Sequence, residues 1–458
     1  MTVRSSAIAA TTLSVLESVV GSANVLRDPE IVRSYETDWT GRFCGSTHLV
    51  VRPGRTEEVS AVVATCAAEG IALTIQGGNT GLVGGSVPLQ GECVLSLRRL
   101  NSVCEVDGLS GQLTAGAGAT VAAVQNRARE AGWDYGVDLG SRDSATIGGT
   151  VATNAGGLHV LRHGNTRAQL LGVEAVLGDG AVVSHLGGLP KDNTGYDLAG
   201  LLCGSEGTLG VVTGVRLRLV PAPRERTVVL LAFESVDAAV KAVSDLRRKV
   251  RSLEALEMFL HEGLELVCST FSIDPPFGAG HPVYLLAEAA DETDPTEALS
   301  EAVSSIEGVV DVAVALEPER RAALWRYREG HTEAINSLGA PHKLDVSLPM
   351  TKLAEFIREV RKAAERVAPG SALWLFGHLG DGNVHVNVTG VEPEDDTVDD
   401  AVFRLAAEMG GSISAEHGIG VAKRRWLSLN RSSAEIDTYR AIKRALDPAG
   451  ILNPNVLL

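Results

Sequence analysis

Three of the eleven histidines fall close together near the C-terminus, beside residues able to share a metal with them. GHLGDGNVHVNV, at 377–388, sets His378 in a glycine turn and His385 on a strand, where Asn387 shares the face of His385 by the period of two. Farther on, SAEHGIG at 414–420 adds Glu416 and His417 in a second glycine-flanked loop. A lone histidine more often caps a turn or sits hydrogen-bonded in a strand. A cluster joined by a glutamate and an asparagine points instead to a two-histidine, one-carboxylate metal set of His378, His385 and Glu416. Nitrogen and oxygen donors suit zinc (Zn2+), and manganese, iron or cobalt accept the same set.

Upstream, WRYREGHTEAINSLGAPHKLDVSLP at 325–349 offers cations. Arg328 and Thr332 stand at i, i+4 on an expected helix, and Lys343 opens a strand, so the three are candidates to clamp a carboxylate. Arg320, Arg321 and Arg326 read as solvated surface charge. Local cations matter because 41 basic residues against 57 acidic ones give a net charge of −16. That balance repels nucleic acid and anionic lipid and opposes the approach of an anionic substrate.

A second chemistry lies in three glycine loops. QGGNTGLVGGS at 76–86 follows a β-rich segment and presents consecutive backbone N–H groups with little side chain to obstruct a ligand, a concavity suited to a pyrophosphate. DLGSRDSATIGGTVATNAGG at 138–157 and CGSEGTLG at 203–210 are the others. Any one of them reads equally well as a turn in a glycine-rich sheet; three in one stretch favour a large phosphate-bearing cofactor. No GxxxxGK[ST] occurs, and GAGATV at 116–121 lacks the third glycine of a dinucleotide fingerprint, so it reads as a turn.

The elements that must position these groups fall into two halves. Helical segments over 10–36 are broken by Gly21 and Asp28-Pro29; a strand at 48–53, a helix at 57–70 and a strand at 71–75 lead into the first glycine loop. Short strands follow at roughly ten-residue spacing, with one clear helix at 120–131. PAPRERT at 221–227 marks a boundary, after which a strand and an amphipathic helix restart and a second such pair follows. The expected division is an N-terminal helical segment over 1–40, a cofactor domain over 41–222 and a substrate domain over 223–458. Six scattered cysteines without a CxxC pair read as reduced thiols, and no apolar run is long enough to span a membrane. The chain reads as a cytoplasmic, soluble small-molecule enzyme.

IQGGNTGLVGGSVP, SRDSATIGGTVATNAGG and LLCGSEGTLGVVT resemble the FAD-binding segments of the vanillyl-alcohol oxidase and p-cresol methylhydroxylase type flavoproteins. The resemblance implies an α+β fold: an FAD-binding domain, an α+β substrate (cap) domain and a C-terminal helical segment. It places Gly77, Gly78, Asn79, Thr80, Gly81 and Ser86 on the phosphates, and Ser141, Gly148, Gly149, Asn154, Glu206, Gly207 and Val211 along the rest of the cofactor. The first loop holds no histidine, which implies non-covalent FAD. Within that superfamily, Arg328, Thr332, Lys343, His378, His385, Asn387, Glu416 and His417 resemble the active site of D-2-hydroxyglutarate dehydrogenases, related to D-lactate dehydrogenases and glycolate oxidase flavin subunits. Tyr327, Gly330 and His331 depart from that pattern and are placed to reshape the pocket. The closing LDPAGILNPN resembles the segment that brings Asn453 to the flavin.

By this resemblance the metal is held by His378, His385 and Glu416; His417 takes the hydroxyl proton; and Arg328, Thr332, Lys343 and Asn387, with His417, bind the substrate. The implied reaction is hydride transfer from D-2-hydroxyglutarate to flavin, with D-lactate, D-malate or glycolate as alternative substrates. The implied partners are an acceptor such as an electron-transfer flavoprotein or a quinone, and a second subunit in a homodimer. A flavin transferase resembling alkylglycerone-phosphate synthases and a non-catalytic flavin subunit are the rival readings.

Overall fold

The computed structural model describes residues 8–458; the first seven residues of the helical segment expected over 1–40 lie outside it. The chain divides into two compact units. The first comprises the chain up to Gly157, Gly164–Pro221 and Glu416–Leu458; the second comprises Leu158–His163 and Ala222–Ala415.

Among the described residues the first unit carries ten short strands. Strands β1 (Val25–Leu26), β2 (Val50–Val51), β3 (Leu73–Gln76) and β4 (Cys93–Ser96) form a sheet in the order β1-β2-β4-β3, parallel across β2, β4 and β3. Strands β5 (Gln112–Gly116), β7 (Leu170–Val176), β8 (Val182–His185) and β9 (Val211–Arg218) form an antiparallel sheet in the order β5-β9-β7-β8, while β6 (Trp133–Asp134) pairs with β10 (Val220–Pro221). A parallel pair needs a crossover, and the helix Thr56–Glu69 supplies it between β2 and β3. Its buried residues Val59, Val62, Val63 and Cys66 repeat at i, i+3, i+4 and i+7, the stripe that turns one face to a sheet.

The C-terminal helix Ser433–Leu446 starts on a capping box made by Ser432 and Glu435. Beyond it the chain returns to the first sheet: Leu73 donates its N–H to Ile451, and Asn453 donates to Leu73. Asp447 fixes this return by accepting the N–H groups of Ile451 and Leu452, and Lys443 donates to the carbonyls of Thr208 and Leu452.

The second unit is built on seven strands: β11 (Glu225–Phe233), β12 (Leu253–Leu260), β13 (Val283–Asp291), β14 (Val309–Ala315), β15 (His342–Ser347), β16 (Ala372–His378) and β17 (Asn383–Thr389). They form one antiparallel sheet in the order β14-β11-β13-β12-β16-β17-β15. On one face Val228, Leu230, Phe259, Tyr284, Leu286 and Phe376 pack with Leu264, Leu324 and Ile335 of the helices His261–Phe271, Pro318–Glu329 and His331–Asn336. The helix Met350–Val367 also packs on this sheet, burying Leu353, Phe356, Ile357, Val360 and Ala364.

The single helix expected through Arg328 and Thr332 is two, Pro318–Glu329 and His331–Asn336, meeting at Gly330. A Cβ at Gly330 would stand 3.0 Å from both Phe271 and Val267, a tight approach to the helix His261–Phe271. Arg328 is buried and Thr332 is exposed, although i, i+4 spacing on one continuous helix would turn them the same way. Among the described residues no helix is long and apolar enough to cross a membrane.

Candidate functional site

The glycine cradle lies in the first unit. Asn79 adopts a left-handed conformation (φ 58°), held by its own side chain, whose Nδ2 donates to the carbonyl of Thr37 and whose Oδ1 accepts the hydroxyl of Ser86. Arg98 holds the carbonyls of Gly77 and Gly78 at 3.1 Å each. The N–H groups of Gly77, Gly78, Asn79, Thr80 and Gly81 donate to no acceptor among the described residues. A Cβ on Gly77 would lie 2.2 Å from the Thr146 hydroxyl, and one on Gly78 would lie 2.0 Å from the Ser144 carbonyl, so the first two loops pack at a distance only glycine allows. The Thr146 hydroxyl is buried and has no hydrogen-bond partner. An open row of amides beside an unpartnered buried hydroxyl fits a phosphate-bearing ligand such as FAD.

The other expected cofactor residues divide by what the protein already asks of them. Gly148 donates its N–H to Ala117, and Ser141 accepts the N–H groups of Ser144 and Ala145 in a turn. Gly149 is half-buried, and Val211 opens β9 fully buried. Asn154 caps the helix Ile147–Thr153 in a left-handed conformation and accepts the N–H of Arg167. Glu206 has a buried carboxylate that accepts the N–H groups of Ile419 and Gly420 at 2.8 and 2.7 Å. Burial pushes its carboxyl up despite those bonds. Asn453 accepts the N–H of Ile75 and donates to the carbonyl of Glu206, while Gly207 passes close to its amide. Glu206 and Asn453 thus lace the third loop, the 416–420 segment and the C-terminal return together. In the same unit Glu416 accepts the N–H of Gly157 at 3.1 Å, and His417 is half-buried.

In the second unit strand register gathers the polar residues. Lys343 lies opposite Asn387, which lies opposite Trp374; Asp345 lies opposite His385, which lies opposite Phe376; and His378 lies opposite Glu257. Residues directly opposed in antiparallel strands share a face, so one face carries Lys343, Asn387, His385 and His378 in a connected group. The His378 and His385 rings stand 5.2 Å apart and nearly perpendicular. Nδ1 of His378 is 2.6 Å from Oε1 of Glu257, and Nδ1 of His385 is 3.6 Å from Oδ1 of Asp345. A carboxylate bonded to Nδ1 of His378 and another near Nδ1 of His385 is the arrangement common behind metal-bound histidines, so this donor set fits a divalent metal. Asp345 also accepts the side-chain amide of Asn383 and the N–H of Ala415, the residue that precedes Glu416 in the chain.

Arg328 donates Nε–H to Oε2 of Glu257 at 2.7 Å and lies 4.7 Å over the Phe376 ring. Burial works to raise the Glu257 carboxyl, but His378 and Arg328 outweigh it and hold it below the usual carboxylate range. His331 is buried in the core rather than open to a pocket, between Phe259 and Phe376, with Nδ1–H on the carbonyl of Arg328. Burial, aided by the charge of Arg328, lowers its pKa to about 3.

Sequence reasoning missed Glu257, Asp345 and Arg98. The available signal for Glu257 was a carboxylate inside LEALEMFL, a strand buried along its whole length. The same strand holds Glu254, which meets His163, Arg162 and Arg226; Arg226 also bridges to Glu288, and Trp325 donates to Glu288. His159, Glu254 and Glu288 lie close enough to ligate a cation. Arg226 already supplies the positive charge between the two carboxylates, so this group is an ion-pair network.

Comparison with known proteins defines the class. Residues 47–185 match the FAD binding domain family and residues 222–457 match FAD linked oxidases, C-terminal domain. The chain belongs to the FAD-linked oxidases of the vanillyl-alcohol oxidase and p-cresol methylhydroxylase type. Among its relatives is a D-2-hydroxyglutarate dehydrogenase of Xanthomonas citri pv. viticola, 38% identical over 454 residues, covering 96% of each chain. The mitochondrial D-2-hydroxyglutarate dehydrogenase of Danio rerio is 37% identical, covering 94% of this chain and 82% of the relative. A putative mitochondrial D-lactate dehydrogenase of Schizosaccharomyces pombe is 34% identical, covering 96% and 89%. Solved structures share the fold at low identity. p-Cresol methylhydroxylase superposes with a TM-score of 0.79 at 16% identity over 97% of this chain and 96% of that one. Alkyldihydroxyacetonephosphate synthase superposes at 0.76 and 15% over 98% and 85%. The expected α+β flavoprotein fold is the observed one.

Proposed function

We propose that the protein is an FAD-dependent dehydrogenase that oxidises a D-2-hydroxy acid, D-2-hydroxyglutarate before D-lactate, D-malate or glycolate, to the 2-oxo acid. The observation that carries this reading is the connected group of Lys343, Asn387, His385 and His378 on one sheet face, with Arg328 and His378 sharing Glu257. It gathers Lys343, Arg328 and two imidazoles with the carboxylates Glu257 and Asp345, a set that would receive a small anion once a divalent metal added its charge. The names of the full-length relatives support the choice of hydroxy acid.

The first-unit residues Gly77, Gly78, Asn79, Thr80, Gly81 and Ser86 hold the pyrophosphate in this reading, and the second and third glycine loops follow the rest of a non-covalent FAD. When bound, FAD supplies a two-electron acceptor for the hydride leaving C2, and a divalent metal, zinc before manganese, iron or cobalt, held by His378, His385 and Glu416 supplies Lewis acidity at the hydroxyl. Arg328, Thr332, Lys343 and Asn387 orient the substrate, the cations through charge-assisted bonds to carboxylate. His417 removes the hydroxyl proton as the general base of this reading. An electron-transfer flavoprotein or a quinone reoxidises the flavin, and the protein works as a homodimer. Its cysteines, all free, suit a reducing compartment such as the cytoplasm.

Anaerobic titration of the purified flavoprotein with D-2-hydroxyglutarate, D-lactate, D-malate and glycolate tests this. Bleaching of the oxidised flavin band by D-2-hydroxyglutarate at the lowest concentration is expected. Bleaching by another of the four alone removes the substrate choice, and bleaching by none removes the reaction.

A further inference from the structure

Glu257 is 1% exposed, in the middle of a buried strand, and each of its carboxylate oxygens serves a different part of the proposed site. Oε1 faces Nδ1 of His378 at 2.6 Å, and Oε2 accepts Nε–H of Arg328 at 2.7 Å. An ionised carboxylate has only acceptors, so the His378 nitrogen facing it carries the proton, and the neutral ring then offers its lone pair at Nε2. Only Nε of Arg328 bonds Glu257; its terminal nitrogens donate to no acceptor among the described residues, and the Phe376 ring 4.7 Å from the guanidinium carbon supports the group from its face.

We infer that Glu257 is a positioning residue that couples the metal arm of the site to its substrate arm: one oxygen fixes the His378 tautomer that ligates, the other fixes the guanidinium that receives the substrate carboxylate. This inference rests on the metal-assisted dehydrogenase reading above. Its force lies in what an amide cannot do. In Glu257→Gln the side chain keeps its length but has one acceptor where the carboxylate has two. If that oxygen takes Arg328, the NH2 group faces His378, which must accept at Nδ1, carry its proton on Nε2 and close Nε2 to a metal. If the oxygen takes His378, the NH2 group meets the guanidinium and leaves a buried arginine without its anion. Either flip loses an arm.

The test is made on flavin-loaded protein. Zinc affinity by competition with a chromophoric chelator, and KM and kcat for D-2-hydroxyglutarate, are measured for wild type, Glu257→Gln and His378→Ala. The expected result for Glu257→Gln is zinc affinity lower by about 10- to 100-fold and a raised KM, with flavin content retained. Excess zinc restores its kcat and leaves KM high. Zinc affinity and KM equal to wild type in Glu257→Gln overturn the inference and leave the dehydrogenase reading standing. Absence of zinc binding in wild type and His378→Ala alike overturns the metal reading, and the inference falls with it. A second measurement needs no variant: long-range proton–nitrogen spectra of histidine-labelled, metal-free wild type are expected to show His378 protonated at Nδ1, and protonation at Nε2 alone overturns the inference.

Discussion

His331 shows how one side chain can set acid stability without entering the chemistry. It is buried neutral with its Nε2 unsatisfied, and its folded pKa of about 3 lies below the ordinary histidine value of about 6.5. Between those values the unfolded chain binds one more proton than the native one, so stability falls as pH drops from about 6.5 to 3, by up to about 1.4 kcal/mol per pH unit. His331→Asn keeps a donor for the Arg328 carbonyl and removes the titration. Denaturant melts at several pH values should show a shallower fall in that window than wild type; an unchanged slope would place the acid sensitivity elsewhere. Glu254 works in the same direction at lower pH. Burial opposes its ionisation, but His163, Arg226 and His159 overcome that and hold it at about 2, so its contribution is present above the ordinary carboxylate range and is lost as pH falls toward 2.

At the scale of elements, the loops and strands carry separate predictions. Gly78→Ala puts a methyl group 2.0 Å from the Ser144 carbonyl, whereas a Cβ at Gly81 meets nothing within 4 Å. Gly78→Ala should therefore lose flavin and on the order of 1–3 kcal/mol of stability, while Gly81→Ala should melt as wild type does. Equal melting temperatures for the two variants would show that the loops separate freely. In the second unit, Arg226→Met leaves Glu254 and Glu288 buried without their shared cation and should cost about 3–5 kcal/mol by denaturant titration. A loss under 1 kcal/mol would mean the carboxylates find other partners.

The same scale explains what could be read beforehand. The glycine loops and the histidine segments were legible because each is written in consecutive residues, as were the helix breaks at Gly21 and Asp28-Pro29. Glu257 was not, because its partners lie 71 and 121 residues away and only strand register brings them to it. Asp345 was hidden for the same reason, reaching Asn383 on the neighbouring strand and Ala415 outside the sheet. The boundary at Gly330 between the helices that carry Arg328 and Thr332 was not legible either, because Gly330 itself keeps helical dihedrals.

For the whole molecule, a two-unit chain of net charge −16 carries a glycine cradle with open amides in one unit and an imidazole- and cation-bearing sheet face in the other. The family match accounts for the cradle; the dehydrogenase account asks in addition that a metal-dependent step precede flavin reduction. Stopped-flow reduction of the bound flavin by D-2-hydroxyglutarate, before chelation, after it and after zinc is restored, tests that claim most directly. The account predicts reduction that chelation abolishes and zinc returns, with flavin retained throughout. Reduction at an unchanged rate in fully chelated protein would contradict it.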